Sequence, residues 1–168
     1  LAAIDAVCDL FAGQEVCRTE FTVTAPESLF TGSTAQGDDG AGLGIGNRLQ
    51  LIDEELLANL RRVQLRQGLK PSEALASRDF TVEMETGTGK TYVYLRTAFE
   101  LNKRYGFTKF VVVVPSVAIK EGVVKSLQIM APHFRTLYAG QPFEYFQYDS
   151  GKLNQVRNFA TSQHLQVM

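Results

Sequence analysis

Phe80-Thr-Val-Glu-Met-Glu-Thr-Gly-Thr-Gly-Lys-Thr91 is the stretch from which the rest of the chain is read. Phe80, Val82 and Met84 alternate with polar residues, the pattern of a β-strand with one apolar face. A loop with Gly87 and Gly89 follows, then Lys90 and Thr91, and Tyr92 to Tyr105 reads as a helix. Strand, glycine loop, lysine, hydroxyl, helix is the order of a phosphate cradle. Glycines at 87 and 89 let the backbone take positive φ, so that successive N–H groups point into one concavity. The helix adds its unpaired N-terminal amides and the positive end of its dipole. On this reading Glu85, Thr86, Gly87, Thr88, Gly89, Lys90 and Thr91 line the site. Lys90 meets the β/γ-phosphates of a nucleoside triphosphate, and the Thr91 hydroxyl ligates Mg²⁺. These two are the candidate catalytic residues. The plainer alternative is a polar turn between two elements. Met84 stands where the strict spelling G-x-x-x-x-G-K-[ST] has its first glycine, so only the T-G-T-G-K-T core matches.

Downstream, Lys109 to Val114 carries consecutive apolar residues rich in valine, expected for a parallel strand buried on both faces, and Pro115 ends it. Val117 to Met130 reads as a helix. After Pro132, Arg135 to Tyr138 and Glu144 to Tyr148 are candidate strands, Gly151 to Ala160 a helix and Leu165 to Met168 a strand. Such alternation demands a mostly parallel α/β sheet with right-handed crossovers. Ser116 and Lys120 then sit at the carboxyl end of a strand, where open α/β sheets bind ligands. Ser116, the N–H groups of the next helix and Lys120 form a candidate grip on a nucleic-acid phosphate. A plain helix cap with a solvated lysine accounts for the same residues.

Upstream, Leu1, Ile4, Val7 (or Cys8) and Phe11 lie at helical spacing, with Gly13 to close the helix. Residues 19–47 crowd Gly32, Gly37, Gly40, Gly42, Gly44 and Gly46 among polar residues, the composition of a flexible insertion, with a short strand at Thr22 to Thr24. Gly42-Leu-Gly-Ile-Gly46 lacks the offsets of a dinucleotide fingerprint. Residues 53–67 read as an accessory helix capped by Asp53 and stopped by Gly68 and Pro71. Ile52-Asp-Glu-Glu55 opens that helix instead of ending a strand, so it is no metal-holding acid pair.

The chain of 168 residues is 45% hydrophobic and 21% charged, proportions of one globular domain. No apolar run approaches the ~20 residues of a membrane span, so no membrane association is expected. Cys8 and Cys17 match no C-x-x-C pattern, and reduced cysteines of a cytoplasmic protein are expected. His133 and His164 stand alone, with no zinc pattern. Residues 1–89 hold 7 Lys/Arg against 14 Asp/Glu, a net of −7. Residues 90–168 hold 10 against 4, a net of +6. The basic half suits polyphosphate or nucleic acid, or it merely solvates helix faces.

Glu83-Met-Glu-Thr-Gly-Thr-Gly-Lys-Thr-Tyr-Val-Tyr-Leu-Arg-Thr97 closely resembles helicase motif I of the Res subunit of type III restriction-modification enzymes. Phe110-Val-Val-Val-Val-Pro-Ser-Val-Ala-Ile-Lys-Glu-Gly-Val-Val-Lys-Ser-Leu127 resembles motif Ia of that family. The match covers about residues 79 to 168, extends plausibly to Leu1–Gly13, and is weak between. In superfamily 2 helicases the first loop position is commonly alanine, which makes Met84 less odd. The resemblance implies a RecA-like P-loop NTPase fold with helices on both faces of the sheet. It implies ATP and Mg²⁺ as cofactors, double-stranded DNA and a Mod methyltransferase as partners, and translocation with DNA cleavage as the parent's activity. It also implies that motif II, a second RecA-like domain and a nuclease domain lie beyond Met168, and a Q-motif glutamine before Leu1. Residues 1–168 are then expected to be one truncated, incomplete domain that binds nucleotide weakly and does not hydrolyse it at enzymatic rates. The lack of an initiator methionine agrees with that expectation. Asp149 is a weak stand-in for the motif II acid. Another superfamily 2 helicase, a small-molecule P-loop kinase and a non-catalytic interaction module are the alternatives. A GTPase is excluded, because no N-K-x-D guanine reader is present.

Overall fold

The computed structural model describes residues 1–17, 22–24 and 43–168. Its helices are α1 (Ala2–Asp9), α2 (Asp53–Arg66), α3 (Lys90–Tyr105), α4 (Val117–Leu137) and α5 (Leu153–Thr161), and its strands β1 (Thr22–Thr24), β2 (Leu43–Ile45), β3 (Lys109–Phe110), β4 (Phe143–Tyr145) and β5 (Leu165–Val167), with helix and strand alternating from α3 onward. The last three strands form a parallel sheet in the order β3-β5-β4. β1 and β2 pair separately as an antiparallel ribbon. Both ribbon strands fall within the expected insertion at 19–47, whose residues 19–21 and 25–42 lie outside the described residues.

Period-two alternation gives the sheet two unlike faces. Phe143, Leu165 and the partly buried Phe110 and Tyr145 turn to α3 and α4, where they pack on Leu95, Phe99, Leu127, Ala131 and Phe134. Phe99 is the hinge pin of this core. Its ring lies 4.7 Å from Phe134, 4.9 Å from Tyr138 and 4.9 Å from Phe143. The opposite face presents Lys109, Glu144 and Gln166. Gln166, although buried, donates to Glu144 Oε2 at 2.9 Å and to Ser162 Oγ at 3.0 Å. α5 reaches this face through Phe159 and its cap, with the Lys109 ammonium over the Phe159 ring and bonded to the Ser162 carbonyl. Burial lowers the pKa of that ammonium. A second cluster, Ile4, Cys8, Leu101 and Phe107, fixes α1 to α3.

Several elements follow the periodicity closely. α3 ends at Gly106, whose φ of 71° closes it in the left-handed conformation. Gly13 and Gly68 have φ of 92° and 72° where α1 and α2 come to a stop. Other expectations are corrected. Phe80 to Met84 is not a strand: no described strand pairs with it, and Val82 is 46% exposed. Alternation alone builds no ladder without a neighbour to receive its hydrogen bonds. The strand at Lys109 is not buried on both faces. Val112 N–H still reaches Met168 O at 2.7 Å, but Val111 and Val113 are exposed. Arg135 to Leu137 is helix, not strand, and Tyr138 caps it, because α4 runs straight through Pro132. The proline removes one i→i−4 bond, yet Leu127, Ala131, Phe134 and Tyr138 keep one apolar stripe across it. The start of α2 is also shifted. Ile52 holds the cap position, and Glu55 Oε2 accepts from Ile52 N at 3.0 Å. Isoleucine has no oxygen to return the bond, so only half of a capping box exists.

Candidate nucleotide-phosphate site

The approach to the glycine loop is held by α2. Arg61 donates from Nε to Ser72 O and from a terminal nitrogen to Glu73 O, both at 2.7 Å. Gln64 exchanges two bonds with Ser72, each at 2.8 Å. Further along, Arg78 pairs with Asp53 at 2.7 Å. Residues 72–78 therefore run along α2, and the acids at its start serve this bracket and the helix cap.

Beyond the bracket the chain turns. The Thr88 hydroxyl donates to Glu85 O at 2.6 Å, drawing the loop into a tight turn. Gly87 and Gly89 have φ of 81° and 80°, and a Cβ on either would meet nothing within 4 Å. The loop thus takes a backbone that only glycine adopts at low cost, without being crowded into it. Gly89 caps α3, and Val93 N–H is the first amide to close on it, reaching Gly89 O at 3.0 Å. The amides of Lys90, Thr91 and Tyr92 have no intrahelical acceptor, and no side chain caps them. Glu85 to Lys90 are all exposed and Thr91 is half-buried. Lys90 forms no ion pair or hydrogen bond among the described residues.

These features fit a polyphosphate with its magnesium. Free amides and a helix dipole converge with one unpaired ammonium, and a hydroxyl lies one residue on. Because α3 leads down into β3, its loop end points to the side where the parallel strands finish. Three of the four carboxylates that follow Thr91 are engaged elsewhere, Glu144 by the Gln166 amide. Glu100 lies nine residues along α3, about 14 Å away at ~1.5 Å per residue, and Asp149 accepts from Gly151 N at 2.9 Å and faces Lys152. Among the described residues no cluster of three His, Cys, Asp or Glu side chains could hold a metal.

Ser116 and Lys120 lie on the first turn of α4. Ser116 is the cap, and its Oγ accepts from Ile119 N at 3.3 Å. That leaves the hydroxyl proton free to point outward. Lys120 N–H closes on Ser116 O at 3.0 Å. Strand β3 carries this cap away from the glycine loop in sequence but to the same end of the sheet.

One group of polar residues was not singled out from the sequence, although its spacing was visible. Tyr92, Arg96, Glu100 and Arg104 recur every four residues along α3. Arg96 donates to Tyr92 Oη at 3.2 Å, Tyr138 Oη donates to Glu100 at 2.7 Å, and Arg104 bonds Asp5 at 2.9 Å. Arg66 and Asp9 extend the line to α2 at 2.6 Å. At its loop end Tyr92 Oη meets His133 Nε2 of α4 at 3.2 Å.

The structure defines an α/β protein in which a glycine loop opens a helix beside a small parallel sheet. Residues 51–166 match the family described as type III restriction enzyme, res subunit, and the chain belongs to that family. It is 35% identical over 123 residues to the EcoPI Res subunit of Escherichia phage P1 and, over the same length, to the EcoP15I Res subunit of Escherichia coli. Each match takes in 69% of this chain and 13% of the relative. The StyLTI Res subunit of Salmonella typhimurium is 46% identical over 72 residues, 42% of this chain and 7% of that protein. The chain thus spans a small part of the length of these relatives.

Proposed function

We propose that this chain is the ATP-binding part of the Res subunit of a type III restriction-modification system, folded as part of a first RecA-like P-loop domain. The observation that supports the reading best is the uncapped start of α3 behind two left-handed glycines, with Lys90 unpaired beside it. Lys90 binds the β- and γ-phosphates, Glu85 to Gly89 supply the loop, and Thr91 ligates Mg²⁺. A magnesium ion held there by Thr91 would supply neutralisation of the phosphate charge. The chain orients the triphosphate and holds it by amides and one ammonium. No residue of this chain is assigned to position the attacking water, and the chain alone binds nucleotide without turning it over at enzymatic rates.

In the parent subunit, ATP hydrolysis drives movement along double-stranded DNA, and cleavage occurs with a Mod methyltransferase partner in the cytoplasm. Ser116 and Lys120 hold a backbone phosphate of that DNA. Among the described residues no helix is long and apolar enough to cross a membrane. The test is titration with a fluorescent ATP analogue and Mg²⁺. The chain is expected to bind, and Lys90→Ala to lose binding with the fold intact by circular dichroism. Equal binding by the variant, or none by the parent chain, overturns the assignment.

A further inference from the structure

The arm of chain that enters the glycine loop is held by side chains of α2. Ser72 and Glu73 offer their carbonyl oxygens to the Arg61 guanidinium, each at 2.7 Å, and Gln64 closes a two-bond ring with Ser72 at 2.8 Å. Arg61 and Gln64 are half-buried and three residues apart, so they present one face of the helix to this arm. The Arg78–Asp53 pair is more than half exposed. Such a pair adds little by itself and holds where Ser72 and Glu73 are already fixed. The helix carrying this bracket is anchored in its turn. Buried Asn59 donates to the carbonyls of Leu10 and Ala12, at the end of α1, at 2.9 and 2.8 Å. Arg66 adds a bond to Asp9 at 2.6 Å. α1 packs Ile4 and Cys8 on Leu101 of α3, and Arg104 bonds Asp5 at 2.9 Å. The path closes on one helix: the loop runs on into the head of α3, and its other arm is tied through α2 and α1 to the tail of α3.

We propose that Arg61, supported by Gln64, is a positioning residue for nucleotide binding: it fixes the upstream arm of the glycine loop, so that Glu85 to Gly89 meet a triphosphate already restrained at both ends. The inference rests on the nucleotide-phosphate reading given above, and Arg61 itself touches no ligand. Its planar fork matches two successive carbonyls, and a charged donor makes stronger bonds than a neutral one. With the bracket in place, residues 79–88 span the gap between Arg78 and the cap of α3. Without it the free span grows to residues 70–88, because the next bond upstream is Leu69 N–H on the Gln64 carbonyl, at the end of α2. That is close to a doubling. Restraining a flexible span costs about threefold in an equilibrium constant for each doubling of its length, which sets the size of the effect.

The experiment uses a full-length subunit carrying this chain, titrated with a fluorescent ATP analogue and Mg²⁺, with ATP turnover and amide hydrogen exchange measured alongside. Arg61→Ala combined with Gln64→Ala leaves the buried Leu56 and Asn59 of α2 untouched. It is expected to weaken nucleotide binding about threefold with kcat unchanged. Arg61→Lys, which reaches one carbonyl but cannot fork, is expected to fall between the double variant and the wild type. Exchange should quicken over residues 70–88 and stay as it was along α2 and α3. Unchanged affinity in the double variant overturns the inference. A drop in kcat as large as the loss of affinity does so too, since Arg61 would then act at the reacting groups. Faster exchange along the whole of α2 also overturns it, because the loss would be one of folding. Lys90→Ala in the same subunit keeps this inference apart from the site assignment. If only Lys90→Ala loses nucleotide, the positioning role falls and the site stands; if Lys90→Ala binds as the wild type does, both fall.

Discussion

The seam between α3 and α4 and the loop at the head of α3 belong to one helix, yet they are built on opposite terms. Along the seam every large side chain has a partner. Phe99 touches three aromatic rings, and Phe134 and Leu165 are fully buried. At the loop, residues 85–90 are exposed, amides are uncapped and Lys90 is unpaired among the described residues. The seam carries stability and asks nothing of a ligand, whereas the loop carries unmet hydrogen-bonding capacity on a backbone that only glycine adopts at low cost. Stability and binding are therefore separable by mutation, and the following substitutions and conditions probe how cleanly.

The largest effect belongs to the seam. Phe134→Ala removes a ring stacked on Phe99 and Tyr92 and opens a cavity between α3, α4 and the sheet. Such truncations cost about 3–5 kcal/mol. Chemical denaturation should show a loss in that range, enough to unfold a marginal domain. A loss below about 1 kcal/mol would mean that the seam is not the core it looks to be.

Next come two glycines with nearly equal φ but different surroundings. A Cβ on Gly106 would sit 2.4 Å from the Cys17 carbonyl oxygen, whereas one on Gly89 meets nothing. Left-handed backbone costs a non-glycine residue about 1–2 kcal/mol at either place. Gly106→Ala adds a backbone clash where α3 and residue 17 meet, since Cys17 N–H bonds Tyr105 O at 2.8 Å. Denaturant midpoints should fall further for Gly106→Ala than for Gly89→Ala, and only Gly89→Ala should weaken nucleotide binding beyond what its stability loss explains. Smaller still on stability is Lys90→Ala, within about 0.5 kcal/mol of the parent, as for exposed sites without partners. The pair of measurements would fail to separate the regions if Lys90→Ala melted as early as Gly106→Ala.

The same contrast decides what could be read from the chain. α2, α3 and the left-handed glycines were legible because their causes are local: apolar period, charge placement and turn chemistry. Phe80 to Met84 has a strand's alternation, but a strand is a property of two segments, and the partner is not among those described. Pro132 is the reverse case. The breaker rule ends a helix there, while Leu127, Ala131, Phe134 and Tyr138 mark a stripe that continues, and burial of that stripe outweighs one missing hydrogen bond. The polar second face was hidden by the apolar run at 110–114, because Lys109, Glu144 and Gln166 acquire partners only through the register of three separated strands. In the glycine loop the signal was a motif whose chemistry is local, and there the glycine geometry follows from the residues alone. The Tyr92–Arg96–Glu100–Arg104 spacing was visible too, but its link to α4 depends on where partners 38 and 41 residues away come to rest.

The smallest effect concerns the two cysteines, which lie on either side of the boundary between core and surface. Cys8 is fully buried in the α1–α3 cluster. Desolvation by burial pushes its thiol from 9.0 up to about 11, against the opposing pull of the Arg104 guanidinium. A raised value means that folding favours the protonated thiol. Its contribution is therefore fully present below pH 9 and is lost as pH rises from about 9 through 11. Cys17 is only half-buried, with its thiol on the Arg48 carbonyl at 3.2 Å. At pH 8 a maleimide should label Cys17 and leave Cys8 untouched until denaturant is added, because the thiolate is the reactive form. A Cys8→Ala variant should in turn lose less stability than the parent between pH 9 and 11. Labelling of Cys8 as fast as Cys17 in the folded chain would place α1 off α3, and the packing that isolates the core from the loop would have to be redrawn.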